Sequence, residues 1–246
     1  MESPDFVLDE RDLSSQPIAE DFQPNQQFEK QPTPLSSTTI IYDKPNLLTL
    51  PPEIRLQILS HLLILPPSAP PPSQNAYFHS GLPASSPIPL YTAILRTNRK
   101  LHAEALPLLY RHNTFLAHPS LLASLPRLRR AYAPVLSCNM ADLIARLHVC
   151  IRLDAEPRYD SKMAATQLSG REEIVLETYQ VSWRGSGPDA LRLFEGVRGV
   201  RRARVVGSVG GFEDYARWLE GVMMCEHGTE VKPFVWDGAR DFGTCW

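Results

Sequence analysis

Histidine and cysteine are the side chains here best suited to metal or nucleophile chemistry, and their spacing argues against most of it. His102 and Glu104 stand two apart, so on a helix they point in different directions and cannot share a ligand. His61, His102 and His112 fall outside the H-x-x-x-H spacing that puts two imidazoles on one helical face. Cys138, Cys150, Cys225 and Cys245 include no C-x-x-C pair, which reads as free thiols in a reducing compartment. Cys225-Glu226-His227 would need distant partners to clip a metal, and none is identifiable. Asp241-Phe242-Gly243 echoes a kinase metal-binding tripeptide, but no glycine-rich loop or H-R-D segment accompanies it. Gly207-Ser208-Val209-Gly210-Gly211 sits between a strand pattern and a helix pattern, where a phosphate can bind. It lacks the lysine and the three-glycine spacing, so a tight turn is the expectation. Arginines cluster at Arg127, Arg129 and Arg130 and at Arg198, Arg201, Arg202 and Arg204. Interleaved Leu128, Val197, Val200 and Val205 make them solvated faces of buried elements rather than a nucleic-acid footprint. The sequence thus predicts no catalytic, cofactor or metal site, no nucleic-acid partner and no enzyme.

The elements carry more information. Pro51 and Pro52 lack backbone donors and suit a first helical turn, with Thr49 a candidate N-cap just upstream. From there Ile54, Ile58, Leu62 and Leu65 form one stripe, and Leu56, Leu59 and Leu63 a second. Together they span roughly 200°, against the ≳ 100° of a surface helix, so one side needs a core and the other something apolar. A second helical block over 90–110 places Ile94, Asn98, Leu101, Ala105, Leu108 and Leu109 on one face. Asn98 is the polar exception there and needs a partner, and Pro107 predicts a kink or break near Leu106. The two blocks are expected to pack as a hairpin across a proline-rich insertion at 66–90.

Beyond residue 118 a short helix is expected at 119–125, then a strand over 145–153 with Leu147, Val149 and Ile151 on one face. A second strand over 173–183, a helix at 188–197, a strand at 201–209 and a helix over 212–225 follow, with an irregular end at 226–246. Strand and helix alternate as in a small α/β unit. Sixteen of the 23 prolines lie before residue 91, and eight acids stand against Arg11 and Lys30 in the first 31 residues. Residues 1–45 therefore read as a disordered acidic tail. No apolar run approaches the ~20 residues of a membrane span and no secretory h-region is present. A soluble cytoplasmic or nuclear protein with no membrane partner is the expectation. The fold class is α+β, with segments 1–45, 46–118 and 119–246.

The wording Leu50-Pro51-Pro52-Glu53-Ile54, with Ile58 and Leu62 at following turns, resembles the opening of an F-box. The resemblance resumes at Ala93-Ile94-Leu95-Arg96-Thr97-Asn98-Arg99-Lys100-Leu101-His102-Ala103-Glu104-Ala105-Leu106-Pro107-Leu108-Leu109-Tyr110 and ends on Asn113-Thr114-Phe115, similar to a group of fungal F-box-like proteins. It covers roughly a quarter of the chain, and the insertion separates its halves. It implies a non-catalytic adaptor that docks onto a Skp1-type subunit of a cullin ubiquitin ligase. Leu50, Pro51, Ile54, Ile58, Leu59, Leu62 and Leu63 would then face that subunit. Leu95 and Leu101 would support the second helix, and Tyr110 and Phe115 would cap the core. The remainder would resemble degenerate leucine-rich-repeat-type strands and helices holding an unknown protein target, although no clean internal period is present. The alternative is an interaction domain whose first helix closes only its own core.

Overall fold

Alternating apolar residues between 114 and 207 build a five-stranded sheet in this computed structural model, which describes residues 46–66, 90–129, 132–181 and 186–236. The tail at 1–45, the insertion from 67 to 89, Arg130, Trp183, Asp241 to Gly243 and Cys245 lie outside the described residues. The strands are β1 (Thr114–His118), β2 (Leu122–Arg127), β3 (Arg146–Arg152), β4 (Glu173–Tyr179) and β5 (Arg202–Gly207). Their spatial order is β2-β1-β3-β4-β5. Only the β1–β2 pair is antiparallel. The helices are α1 (Pro52–Leu63), α2 (Arg99–His112), α3 (Cys138–Asp142), α4 (Ser161–Leu168), α5 (Asp189–Arg192) and α6 (Glu213–Met224), with a 3-10 turn at Thr92–Arg96. The chain is α+β.

From β1 through β3 and β4 to β5 the parallel strands step in one direction. Right-handed crossovers then place their helices on one face of the sheet. On that face Leu147, Val149, Ile151, Ile174, Leu176, Ala203 and Val205 pack with Ala164, Leu168, Phe194, Tyr215, Leu219 and Met223. With a side-chain period of two, the opposite face carries Arg146, His148, Cys150, Glu173, Val175, Glu177, Arg202 and Arg204. It is buried at His148 and opens to solvent at Arg202 and Arg204.

Several expectations need correction. Residues 119–125 form a turn and the start of β2, not a helix. The His118 ring accepts the Ser120 and Leu121 amides at 3.0 and 3.1 Å, and Leu122 takes a φ of 48°. Leucine and alanine there suit a helix, but edge pairing decides; Pro126 is tolerated because edge strands can lack a donor. Gln167 of α4 then fastens the edge, accepting the Ala123 amide at 2.8 Å and donating to the Ser124 hydroxyl at 3.0 Å. Asn98 is not on the apolar face of a longer helix; it is the N-cap of α2 and accepts the Lys100 amide at 2.8 Å. α2 also runs through Pro107 without ending. The helix expected at 188–197 shortens to α5, and the strand expected to 183 ends at Tyr179. α3 and α4 were not anticipated.

The irregular end fits expectation as far as Trp236, yet it is anchored. Phe234 and Trp236 lie 5.4 and 5.1 Å from the Tyr215 ring. β1 follows α2 directly, and Tyr110 stacks on Phe115 at 5.6 Å. The boundary expected at residue 118 therefore falls between two paired strands, and helices and sheet share one compact unit. Among the described residues no helix is long and apolar enough to cross a membrane.

Candidate functional site

The first helix begins where the prolines allow it. Pro51 is the N-cap and Pro52 the first helical residue, neither having an amide to leave unpaired. Thr49 does not cap the helix, contrary to expectation. Its hydroxyl donates to Asn46 O at 2.8 Å and closes a turn with the Asn46 side chain, which accepts the Leu48 amide at 2.8 Å.

Two polar clamps hold α1 against α2. Arg55 is buried at 2% exposure and sends a planar, two-pronged guanidinium to Glu104, with Nη2 to Oε1 at 2.7 Å. Its Nη1 also donates to Leu50 O at 2.8 Å, which fixes the segment entering the helix. At the other end the buried amide of Asn113 donates to Leu63 O at 2.7 Å and Leu109 O at 2.8 Å, while its oxygen accepts the Leu65 amide at 2.8 Å. Between the clamps Leu59, Leu63, Leu101 and Ala105 form a small core of their own.

The clamps also fix direction. Sequence separation is 49 for Arg55–Glu104, 48 for Leu65–Asn113 and 50 for Leu63–Asn113. A near-constant difference means the two helices run in the same sense, whereas a hairpin would hold the sum of the residue numbers constant. The expected hairpin is thus replaced by a crossover. The Tyr91 amide donates to Leu62 O at 3.0 Å, so the chain re-enters beside the end of α1 that it left. The 3-10 turn then carries it back to the start of α2.

Hydrogen bonding from Arg55, ahead of its charge, holds the Glu104 carboxyl below the usual range, against a smaller opposing effect of desolvation. A depressed folded pKa contributes stability above the unfolded value of about 4.3 that is lost as pH falls through the folded value. The difference in urea midpoint between wild type and Glu104→Gln should therefore be flat from neutrality to about pH 5 and narrow below about pH 4. A gap that persists unchanged at low pH would show that the charge on Glu104 is immaterial.

The residues expected to face a partner divide into two groups. Leu59 and Leu63 are wholly buried against α2 and do not reach the surface, because the i, i+4, i+8 face begun by Arg55 is the one the protein uses itself. Pro51 and Ile54 are exposed, and Leu50, Ile58 and Leu62 are half-buried. Leu48 and Leu56 join the exposed set, so Leu48, Pro51, Ile54 and Leu56 stay exposed after the core is complete, with Ile54 and Leu56 on opposite edges of the buried face. Arg55 and Asn113 went unrecognised as clamps; a lone arginine inside an apolar helix and an acid on the following helix are the signal for the first.

The opposite face of the sheet brings together residues that the sequence left apart. His148 and Cys150 project from β3 two residues apart, and Glu177 is the register partner of Cys150 on β4. The His148 Nε2 lies 2.7 Å from Glu177 Oε2, and the Cys150 Sγ lies 3.8 Å from the same oxygen. Burial, ahead of the nearby Glu177 charge, pushes the Cys150 thiol up to about 12. His148 is lowered by desolvation, which outweighs its hydrogen bond to Glu177. The surrounding arginines are paired: Arg146 and Arg201 reach Glu172 at 3.0 and 3.4 Å, and Arg202 and Arg204 reach Glu173 at 3.7 and 3.3 Å.

The glycine-rich turn after β5 uses its own amide. The Gly211 N–H donates to the Glu213 carboxylate at 3.2 Å, so a side chain occupies the position where a phosphate would sit. Cys225 bonds its own helix through Gly221 O at 3.3 Å, and Cys138, Cys150 and Cys225 are free thiols. No family model matches the chain, and no curated protein or solved structure matches it either.

Proposed function

We propose that this chain is a non-catalytic F-box-like adaptor. In this reading α1, the 3-10 turn and α2 dock onto a Skp1-type subunit of a cullin ubiquitin ligase, and the sheet region holds a protein target. The observation that carries it is the apolar surface left on α1 and its entry, with Leu48, Pro51 and Ile54 exposed and Leu50 and Ile58 half-buried, after the face of Arg55, Leu59 and Leu63 is satisfied. Leu59 and Leu63 leave the expected contact set and become its support. Leu48, Ile54 and Leu56 are 38%, 44% and 39% exposed, so completing their burial contributes about 0.6–1.3 kcal/mol each, and the half-buried Leu50 and Ile58 must add to it to offset the cost of association.

The second reading is an interaction domain in which α1 serves its own core and no ligase takes part. Complete burial of Leu59 and Leu63 against Leu101 and Ala105 favours it.

Co-purification with a fungal Skp1-type protein separates the two. Wild type is compared with an Ile54→Asp, Leu56→Asp double variant, with circular dichroism confirming that both are folded. Stoichiometric capture by wild type that the folded variant loses supports the adaptor. No capture by folded wild type overturns it and leaves the interaction domain.

A further inference from the structure

We propose that His148, Cys150 and Glu177 form a binding site for a borderline-soft divalent cation of the zinc type. The three side chains offer an imidazole nitrogen, a thiol sulfur and a carboxylate oxygen, all within 4.8 Å of one another. Ligands bound at about 2.0–2.3 Å in a tetrahedron stand roughly 3.3–3.7 Å apart. The separations of 2.7 and 3.8 Å bracket that spacing, so small side-chain rotations admit an ion without moving the strands.

The backbone supplies the preorganisation. Residues two apart on a strand share a face, and Cys150 and Glu177 are direct neighbours across an in-register parallel pair. Both strands lie inside the sheet, with β1 and β5 as their outer neighbours. The donors therefore come from rigid elements, not from loops.

The donor set selects the metal. A thiolate with an imidazole and one carboxylate suits zinc or cobalt and disfavours magnesium or calcium, which prefer oxygen cages. The two anionic ligands would neutralise a divalent charge locally, which matters because Arg129 and Arg204 also act on His148. Three protein ligands leave a fourth position open towards the solvent side, where Glu177 is partly exposed. This inference is independent of the adaptor reading.

The test uses the full chain, reduced and freed of metal, with Co²⁺ as a spectroscopic probe. One Co²⁺ per chain is expected, with a thiolate-to-cobalt charge-transfer band that Zn²⁺ displaces. The band should vanish in Cys150→Ser and persist in Cys138→Ser. His148→Gln and Glu177→Gln should each weaken binding by more than the 10–100-fold typical of an outer-shell change. Circular dichroism checks each variant. A second readout needs no variant: Zn²⁺ should slow alkylation of Cys150 in wild type and leave the rate at exposed Cys138 unchanged. Absence of the band in folded wild type, its survival in Cys150→Ser, or equal alkylation rates at Cys150 with and without Zn²⁺ would overturn the site.

Discussion

Truncating Leu59 to alanine is expected to destabilise the protein by about 2–5 kcal/mol, whereas Ile54→Asp on the same helix should change stability by no more than about 0.5 kcal/mol. Leu59 is wholly buried between Arg55 and Leu63 and packs on Leu101 and Ala105. Removing three carbons there loses their transfer free energy and leaves a cavity that the two clamps prevent α1 from closing. Ile54 loses little, because it is exposed and sits in the first turn, where an added carboxylate is favoured by the helix dipole. Urea unfolding of the three proteins measures both numbers. The contrast bears directly on function. If Leu59→Ala proves nearly neutral, α1 is not committed to α2, and both of its stripes are available to a partner. If Ile54→Asp proves as costly as Leu59→Ala, that edge of α1 is already covered and the adaptor reading loses its surface.

The legible parts of the fold were those where local pattern and tertiary packing agree. Leu147, Val149 and Ile151 alternate strictly with polar residues, and β3 and β4 followed from that alternation. Pro51 and Pro52 marked the start of α1 because a residue without an amide has few other places to sit. The failures share a cause. In 119–125 the three leucines and Ala123 prefer a helix, and only pairing with β1 and the hold of Gln167 make 122–125 a strand. For Asn98, periodicity alone placed the residue on a face. Its preference for capping, which frees the Lys100 amide from having no partner, was the better guide.

Helix direction was beyond the pattern altogether. Amphipathic stripes say which side of a helix is buried, not which way its neighbour runs. The parallel sense of α1 and α2 emerges only from the contacts of Arg55 and Asn113. For the same reason the apolar excess on α1 was readable, but its division into a buried and a free share was not. Leu59 and Leu63 went to the core because the stripe containing Arg55 could also reach Glu104. The His148, Cys150 and Glu177 cluster was equally hidden. His-x-Cys on a strand places two donors on one face, which is visible in the sequence. The third donor depends on a register between strands 27 residues apart.

Gly207→Ala should be the most damaging single-carbon addition outside the helical core. Gly207 ends β5 at a φ of 97°, a region L-residues rarely enter, and this alone is worth about 1–3 kcal/mol of strain. An added Cβ would also stand 2.2 Å from Thr178 O, which is backbone. That oxygen accepts the Ser208 amide at 2.9 Å, so the ladder between β4 and β5 cannot widen without losing a bond at its end. The combined loss should exceed about 3 kcal/mol, in the range reserved for strain at special backbone positions. Gly210→Ala is the matched control, since a Cβ there meets nothing within 4 Å and no positive φ is required. Urea midpoints of the two variants give the comparison, and hydrogen exchange at Ser208, whose amide bonds Thr178 O, locates the damage. β5 is an edge strand with α6 packed on it, so faster exchange there with an unchanged β3 would confine the effect to the β4–β5 ladder. Equal midpoints for the two alanines would mean that the turn after β5 can relax, and that its glycine is a convenience of this sequence rather than a requirement of the fold.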